Sequence, residues 1–467
     1  MEFNYNCLEK YNYETAVVAS DGTKTTYERL VKIADNFGKR IPSRQVVLLI
    51  CKNNVYSIAS YIGFIRNGVV PLLVDYKLSK ESINIISKTY HISYICLPTS
   101  FISDYSDKYT EFYTLDNYSL IKINENKKSQ NINSDLALLI PTSGSTGGSK
   151  LVRISYNNLY ENTKSISLSL SIQSTDRAIT TMPMSYSYGL SIINTHLLNG
   201  SSLMVTNRSI MEKEFWLFFH KSKPTTFGGV PFIFKILKKL RFSEMNLESL
   251  RYITQAGGKL DLLHENYFKE TCKKNKTKFY IMYGQTEATA RMSVLQHNDF
   301  YNKSGSIGKP IPGGRFILKN ELDQELKGDA EGELFYYGEN VSMGYANKFS
   351  DLKLGDLNKG ILKTGDQAER DSDGYYYIIG RKSRFVKIYG VRVGLDEVEN
   401  FINGKGYECV CSGVDDNLKI HTTNSSYVDK IHSLISENRL IHSAGYSIKL
   451  IDSIPRSESG KVMYSKL

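Results

Sequence analysis

Short apolar runs of strand length alternate with helically spaced segments through the first part of the chain, and no other feature restricts the fold as much. Val46–Ile50 and Val69–Val74 read as strands, while Tyr27–Phe37 and Ser57–Arg66 carry apolar residues at helical spacing. The pattern continues through Ser202–Val205, a helix over Phe232–Leu240, and strands at Tyr252–Thr254 and Phe279–Met282. Such alternation predicts parallel α/β layers. From Gly305 the texture changes to short strands between Gly/Pro turns, as in Gly308–Gly314 and Gly332–Tyr337, and a small β-barrel-like subdomain is expected there. The polar stretch Gly380–Phe385 follows a strand at Tyr375–Ile379 and precedes a helix signal at Leu395–Glu399. That places a boundary between a large core of layered α/β subdomains, residues 1–379, and a small α+β domain, residues 380–467.

One glycine-rich stretch, Pro141 to Leu151, raises the question of phosphate binding. Counted from Gly144, the phosphate-loop pattern of P-loop nucleotidases requires Gly where Ser149 stands and a hydroxyl where Leu151 stands, so it fails at two positions. The runs on either side, Leu136–Ile140 and Leu151–Ile154, are strand-like, so the glycines join two strands rather than a strand and a helix. Backbone N–H groups in such a turn form an anion-binding nest, or the turn is a plain Gly/Ser surface loop; on this segment alone the two readings weigh equally.

The chain of 467 residues has a net charge of +11, with Lys and Arg scattered along its length and no dense basic block beyond Lys273–Lys276. This argues against nucleic-acid binding and suits anionic small molecules or an acidic partner. Four of the six cysteines are isolated, and Cys409 and Cys411 have no second pair and no nearby His, so reduced thiols are expected and a cysteine metal site is not. The N-terminus lacks an apolar signal core and no apolar run approaches membrane length, so a cytoplasmic protein without membrane insertion is expected.

Five separated stretches, in order, resemble the signature motifs of the adenylate-forming superfamily of acyl-CoA synthetases, peptide-synthetase adenylation domains and luciferases. They are Thr142–Lys150, Tyr283–Glu287, Lys363–Asp366, Gly380–Arg381 with Lys387–Glu399, and Pro455–Lys461. The resemblance implies ATP and Mg2+ as cofactors, a small carboxylic acid as substrate, and acyl transfer to a phosphopantetheine thiol of a carrier protein or CoA. It implies a phosphate lid of Thr142, Ser143, Gly144, Ser145, Thr146, Gly147 and Lys150. Ala256, Gly257 and Gly258 are expected beside the adenine, with Tyr283, Gly284 and Gln285. Asp366 is expected on the ribose hydroxyls, Arg381 on ribose or phosphate, Thr286 on the α-phosphate, and Glu287 on the magnesium ion. Lys461 is implied as the catalytic lysine that bridges substrate carboxylate and phosphate. The residue types suit the chemistry, because attack by an anion on a polyanion calls for charge neutralisation and positioning.

The chain also departs from the family pattern. Ser383 stands where relatives carry an Asp or Lys hinge. Gly189 aligns with the Asp that pairs with the ammonium of amino-acid substrates, which disfavours an α-amino acid. Tyr186 is expected as a gate between acid and ATP, and Gly229, in Phe227–Pro231, as part of the acid-pocket wall. With nothing after Leu467, the acyl acceptor is expected to come from outside the chain.

Overall fold

The strand Val46–Cys51 is buried at every position, a pattern stable only in a sheet covered on both faces. The computed structural model describes residues 5–105, 109–123, 131–141, 150–381, 384–388, 391–414, 416–437, 441, 443–457 and 460–467. There this strand sits in an eight-stranded sheet beside Val70–Asp75 and Tyr94–Pro98, and Leu136–Pro141 completes a parallel centre of four. A second sheet of nine strands has a parallel run Lys278–Tyr283, Tyr252–Gln255, Thr226–Gly229, Arg177–Ile179, Ser202–Val205 and Thr15–Ala19, with antiparallel strands at both ends. The helix Ser187–Leu198 is buried along nearly its whole length. Its Leu190, Ile193 and Leu197 join Val47, Leu49, Val205 and Leu203 in one apolar core shared by the two sheets. The parallel α/β layers expected from the alternating pattern are present, with ends shifted by a residue or two.

The β-rich region forms a five-stranded antiparallel sheet, ordered Glu325–Leu326, Arg315–Lys319, Ala330–Tyr337, Ile361–Arg370, Tyr376–Arg381. Its two edges do not pair with one another among the described residues, so it is an open sheet and not a closed barrel. Beyond it, Val410–Val414, Asn417–Thr422 and Tyr446–Leu450 make a three-stranded sheet with helices Leu395–Gly404 and Val428–Glu437, an α+β arrangement. Its core of Val386, Val398, Ile402, Cys411, Leu418, Ile420, Ile431 and Ile435 is separate from the others. All six cysteines are free thiols. Among the described residues no helix is long and apolar enough to cross a membrane.

Candidate active site

Strands Leu136–Pro141 and Leu151–Ser155 pair antiparallel with Pro141 opposite Leu151, so the glycine-rich stretch connects two strands of a hairpin. Thr142, Ser143, Gly144, Ser145, Thr146 and Gly147 lie outside the described residues. Lys150, at the end of the loop, places its Nζ 3.5 Å over the Tyr345 ring, and the Tyr345 hydroxyl donates to Glu287 Oε1 at 2.8 Å. Burial, then the Glu287 carboxylate, push the Tyr345 hydroxyl well above its ordinary pKa. The lid end and the Tyr283–Glu287 motif are thus joined through one aromatic side chain.

Residues expected on the nucleotide converge on Asp366, which is 3% exposed. Its Oδ2 accepts from the Tyr283 hydroxyl and, at 3.0 Å, from Gln285 Nε2, while Arg381 Nε lies 3.0 Å from Oδ1. Asp366 and Arg381 are register partners on adjacent antiparallel strands, which fixes this pair locally. A carboxylate has about four acceptor sites, so protein donors occupy most of them in this form. Ala256 is buried at the end of strand Tyr252–Gln255, and the Gly258 carbonyl accepts from Gln255 Nε2 at 2.8 Å.

A second convergence surrounds Tyr186, the N-cap of helix Ser187–Leu198. Its hydroxyl lies 2.9 Å from the point a Cβ on Gly257 would occupy. Next to it the hydroxyls of Ser187 and Thr286 are 3.1 Å apart. From the far end of the sequence, Lys461 brings its Nζ to 5.4 Å from the Tyr186 ring centroid. The turn that delivers it has Gly460 at φ +78, a backbone state that disfavours side chains, and the Lys461 carbonyl accepts from Ser457 N at 2.7 Å. Three motifs distant in sequence therefore meet at one place. Ser383, the expected hinge, lies outside the described residues.

Two glycines expected at the acid pocket are closely packed by their neighbours. A Cβ on Gly189 would stand 2.2 Å from the Pro183 carbonyl oxygen, so this glycine is a tight packing contact. A Cβ on Gly229 would meet Phe234 and Ile233, on the helix side of the sheet. Side chains alternate along a strand, and Gly228 is the glycine that faces inward, toward Ile192, the Tyr188 hydroxyl and Thr254.

That inward face closes a cavity of about 10 Å³ lined by Ile192, His196, Thr226, Gly228, Thr254 and Arg291 among others, room for about one water. Burial pushes the His196 imidazole down to about 4. Its Nδ1 donates to the Ile192 carbonyl at 2.8 Å, which leaves Nε2 as an acceptor for the Thr226 hydroxyl at 3.2 Å. His196 is therefore neutral at pH 7. Reading the sequence alone missed His196, Thr254 and Arg291. The signal for Arg291 was a cation in the small and apolar run Ala288–Met292, directly after the Tyr283–Glu287 motif.

The donor set also bears on magnesium. Among the described residues no group of three or more His, Cys, Asp or Glu side chains could hold an ion, which leaves Glu287 without a protein cage around it. Magnesium keeps several waters and is commonly held by one or two carboxylates plus substrate phosphates, so a half-buried Glu287 fits an ion that arrives with the nucleotide.

Comparison with known proteins agrees with this geometry. Residues 5–346 match the family model described as AMP-binding enzyme. A 2-succinylbenzoate–CoA ligase of Bacillus cereus is 26% identical over 392 residues, covering 80% of this chain and 76% of the relative. Another from the same species is 24% identical over 465 residues, covering 94% and 92%. The solved O-succinylbenzoate coenzyme A synthetase of Bacillus subtilis in complex with AMP superposes with a TM-score of 0.80 at 19% identity, covering all 100% of this chain and 98% of that one. An anthranilate CoA ligase in complex with anthranoyl-AMP gives 0.79 at 18% identity, covering 100% and 97%.

Proposed function

Since the chain belongs to the AMP-binding enzyme family, we propose that it is an ATP- and Mg2+-dependent, AMP-forming acid–thiol ligase that makes the CoA thioester of a small carboxylic acid. In the first half-reaction a carboxylate oxygen attacks the α-phosphorus of ATP, the bond to the pyrophosphate oxygen breaks, and acyl-AMP remains. In the second the thiol releases its proton to solvent, its sulfur attacks the acyl carbonyl carbon, and AMP leaves with the electron pair of the broken C–O bond.

Each residue acts by position and charge. Lys461 neutralises the carboxylate and α-phosphate oxygens as they approach beside Tyr186, and Thr286 donates to the α-phosphate. Thr142, Ser143, Ser145 and Thr146, with the backbone at Gly144 and Gly147 and the ammonium of Lys150, hold the departing pyrophosphate. Tyr283 and Gln285, following the turn Ala256–Gly258, flank the base. Asp366 takes the ribose hydroxyls once Arg381, whose side chain is 57% exposed, turns outward. Bound at Glu287, magnesium supplies charge neutralisation on the phosphates. Residues 380–467 act as the moving lid on the 1–379 core, bringing Lys461 in for adenylation and withdrawing it for thiol attack.

The observation that carries this reading is the approach of Lys461 Nζ to Tyr186, whose chain neighbour Ser187 has its hydroxyl 3.1 Å from that of Thr286. The relatives at 24–26% identity are named CoA ligases, which favours CoA over a carrier protein as the acceptor. Lys461→Ala is expected to lower acid-dependent pyrophosphate release by about 100-fold or more, the usual scale for losing a transition-state charge partner, while added acyl-adenylate still acylates CoA. Unchanged pyrophosphate release would overturn the role of Lys461, and thioester formed on a carrier protein but never on CoA would overturn the choice of acceptor.

A further inference from the structure

Arg291 lines the small cavity beside Gly228 and Thr254. It is 3% exposed, its guanidinium lies 3.8 Å from the Tyr188 ring centroid, and its Nε points to the Met282 sulfur at 3.4 Å. Among the described residues it has no ion pair and no hydrogen-bonded oxygen on its guanidinium, although it lines the cavity between Gly228 and Thr254. Arginine keeps its proton in proteins, and a buried cation is costly unless an anion or a set of acceptors meets it. Burial accordingly lowers the guanidinium from its ordinary value.

Among the described residues that line the cavity, none supplies an anion. His196 is neutral and accepts from Thr226, and the Tyr188 hydroxyl is committed to Thr254. The titratable groups set against Arg291 are Tyr186, Tyr188 and Tyr252, and a tyrosine hydroxyl is neutral at pH 7. Two cations thus stand on two adjacent rings. Lys461 lies over Tyr186 and Arg291 over Tyr188, with the ring centroids 6.4 Å apart.

We propose that the substrate is a dicarboxylic acid whose second carboxylate is bound by Arg291 at the inner end of the pocket. This deepens the adenylation reading and rests on it. Guanidinium presents a planar fork of donors that suits a carboxylate in particular. The narrow cavity favours a small terminal group there, with the body of the acid lying toward Tyr186.

The test uses matched pairs that differ by one carboxylate, propionate with succinate, butyrate with glutarate and benzoate with phthalate. Acid-dependent ATP–pyrophosphate exchange and the ligand-induced shift in Tm are read for the wild type, Arg291→Met and Arg291→Lys. At least one diacid is expected to exceed its monoacid partner by about tenfold or more in kcat/KM and to raise Tm where the monoacid does not. Arg291→Met should erase both differences, Arg291→Lys should keep part of them, and Arg291→Met without ligand should melt higher than the wild type because it removes an unpaired buried cation. The proposal is overturned if no diacid exceeds its partner in either readout, if Arg291→Met preserves the preference, or if Arg291→Met melts lower without ligand. Diacid-specific Tm shifts lost in Arg291→Met, with no exchange for any acid, sustain the anion site and sink the adenylation reading. Exchange with monoacids alone does the reverse.

Discussion

Two arginines, Arg153 and Arg291, are almost equally buried, at 0% and 3% exposure, and burial lowers both guanidinium groups from their ordinary value. Arg153, on the strand Leu151–Ser155, donates to the carbonyls of Met343, Tyr345, Leu354 and Gly355. It ties the end of the lid hairpin to the segment that carries Tyr345, and every carbonyl it meets comes from the chain itself. Arg291 meets one aromatic face and a sulfur. A buried cation satisfied by its own fold is structural, whereas one left facing a cavity is prepared for something that arrives later.

The largest expected effect separates the two by sign. Arg153→Met should cost about 3–5 kcal/mol of unfolding free energy, because it strips donors from several buried carbonyls at once. Urea denaturation measures it, and a loss under about 1 kcal/mol, the net worth of one ordinary hydrogen bond, would break the contrast.

Next comes His196, whose neutrality leaves Arg291 as the cation facing the cavity. In the unfolded chain this imidazole titrates near 6.5, and in the fold near 4. Between those values the unfolded state binds more protons, so the contribution is complete above about pH 6.5 and is lost as pH falls toward 4, a change of about 3 kcal/mol. His196→Gln should flatten that part of the stability–pH curve. If the wild-type curve is already flat there, His196 is charged in the fold and the contrast weakens.

A smaller effect of opposite direction is expected for Arg291→Met, a gain of roughly 1 kcal/mol in unfolding free energy without ligand. The smallest concerns Arg381, which pairs with Asp366 but is 57% exposed. Arg381→Ala should change stability by less than about 1 kcal/mol, as exposed ion pairs do. A larger loss by the same urea assay would mean that this pair is structural and that Arg381 does not swing clear of Asp366.

What the sequence made legible follows the same division. The layers were readable because strands such as Val46–Cys51 and helices such as Tyr27–Gly38 carry their periodicity locally. The motifs around Tyr283, Asp366 and Lys461 were readable as short strings, and the fold brings their ends together. The acid pocket was harder to read. Whether Gly228 or Gly229 faces inward depends on strand register, and one residue reverses the face. Gly189 is held against Pro183 by a turn whose closeness no pattern announces. Arg291 is visible as a letter, but its isolation depends on Tyr188, Met282 and Thr254, far apart in sequence and joined only by packing.

The most direct test of the whole account is ATP–pyrophosphate exchange by the purified wild-type protein with Mg2+ and a panel of carboxylic acids. Exchange is expected to rise above the acid-free background with at least one acid and to stop when Lys461 is replaced by Ala. Exchange that no acid raises, or release of phosphate in place of pyrophosphate, would contradict it.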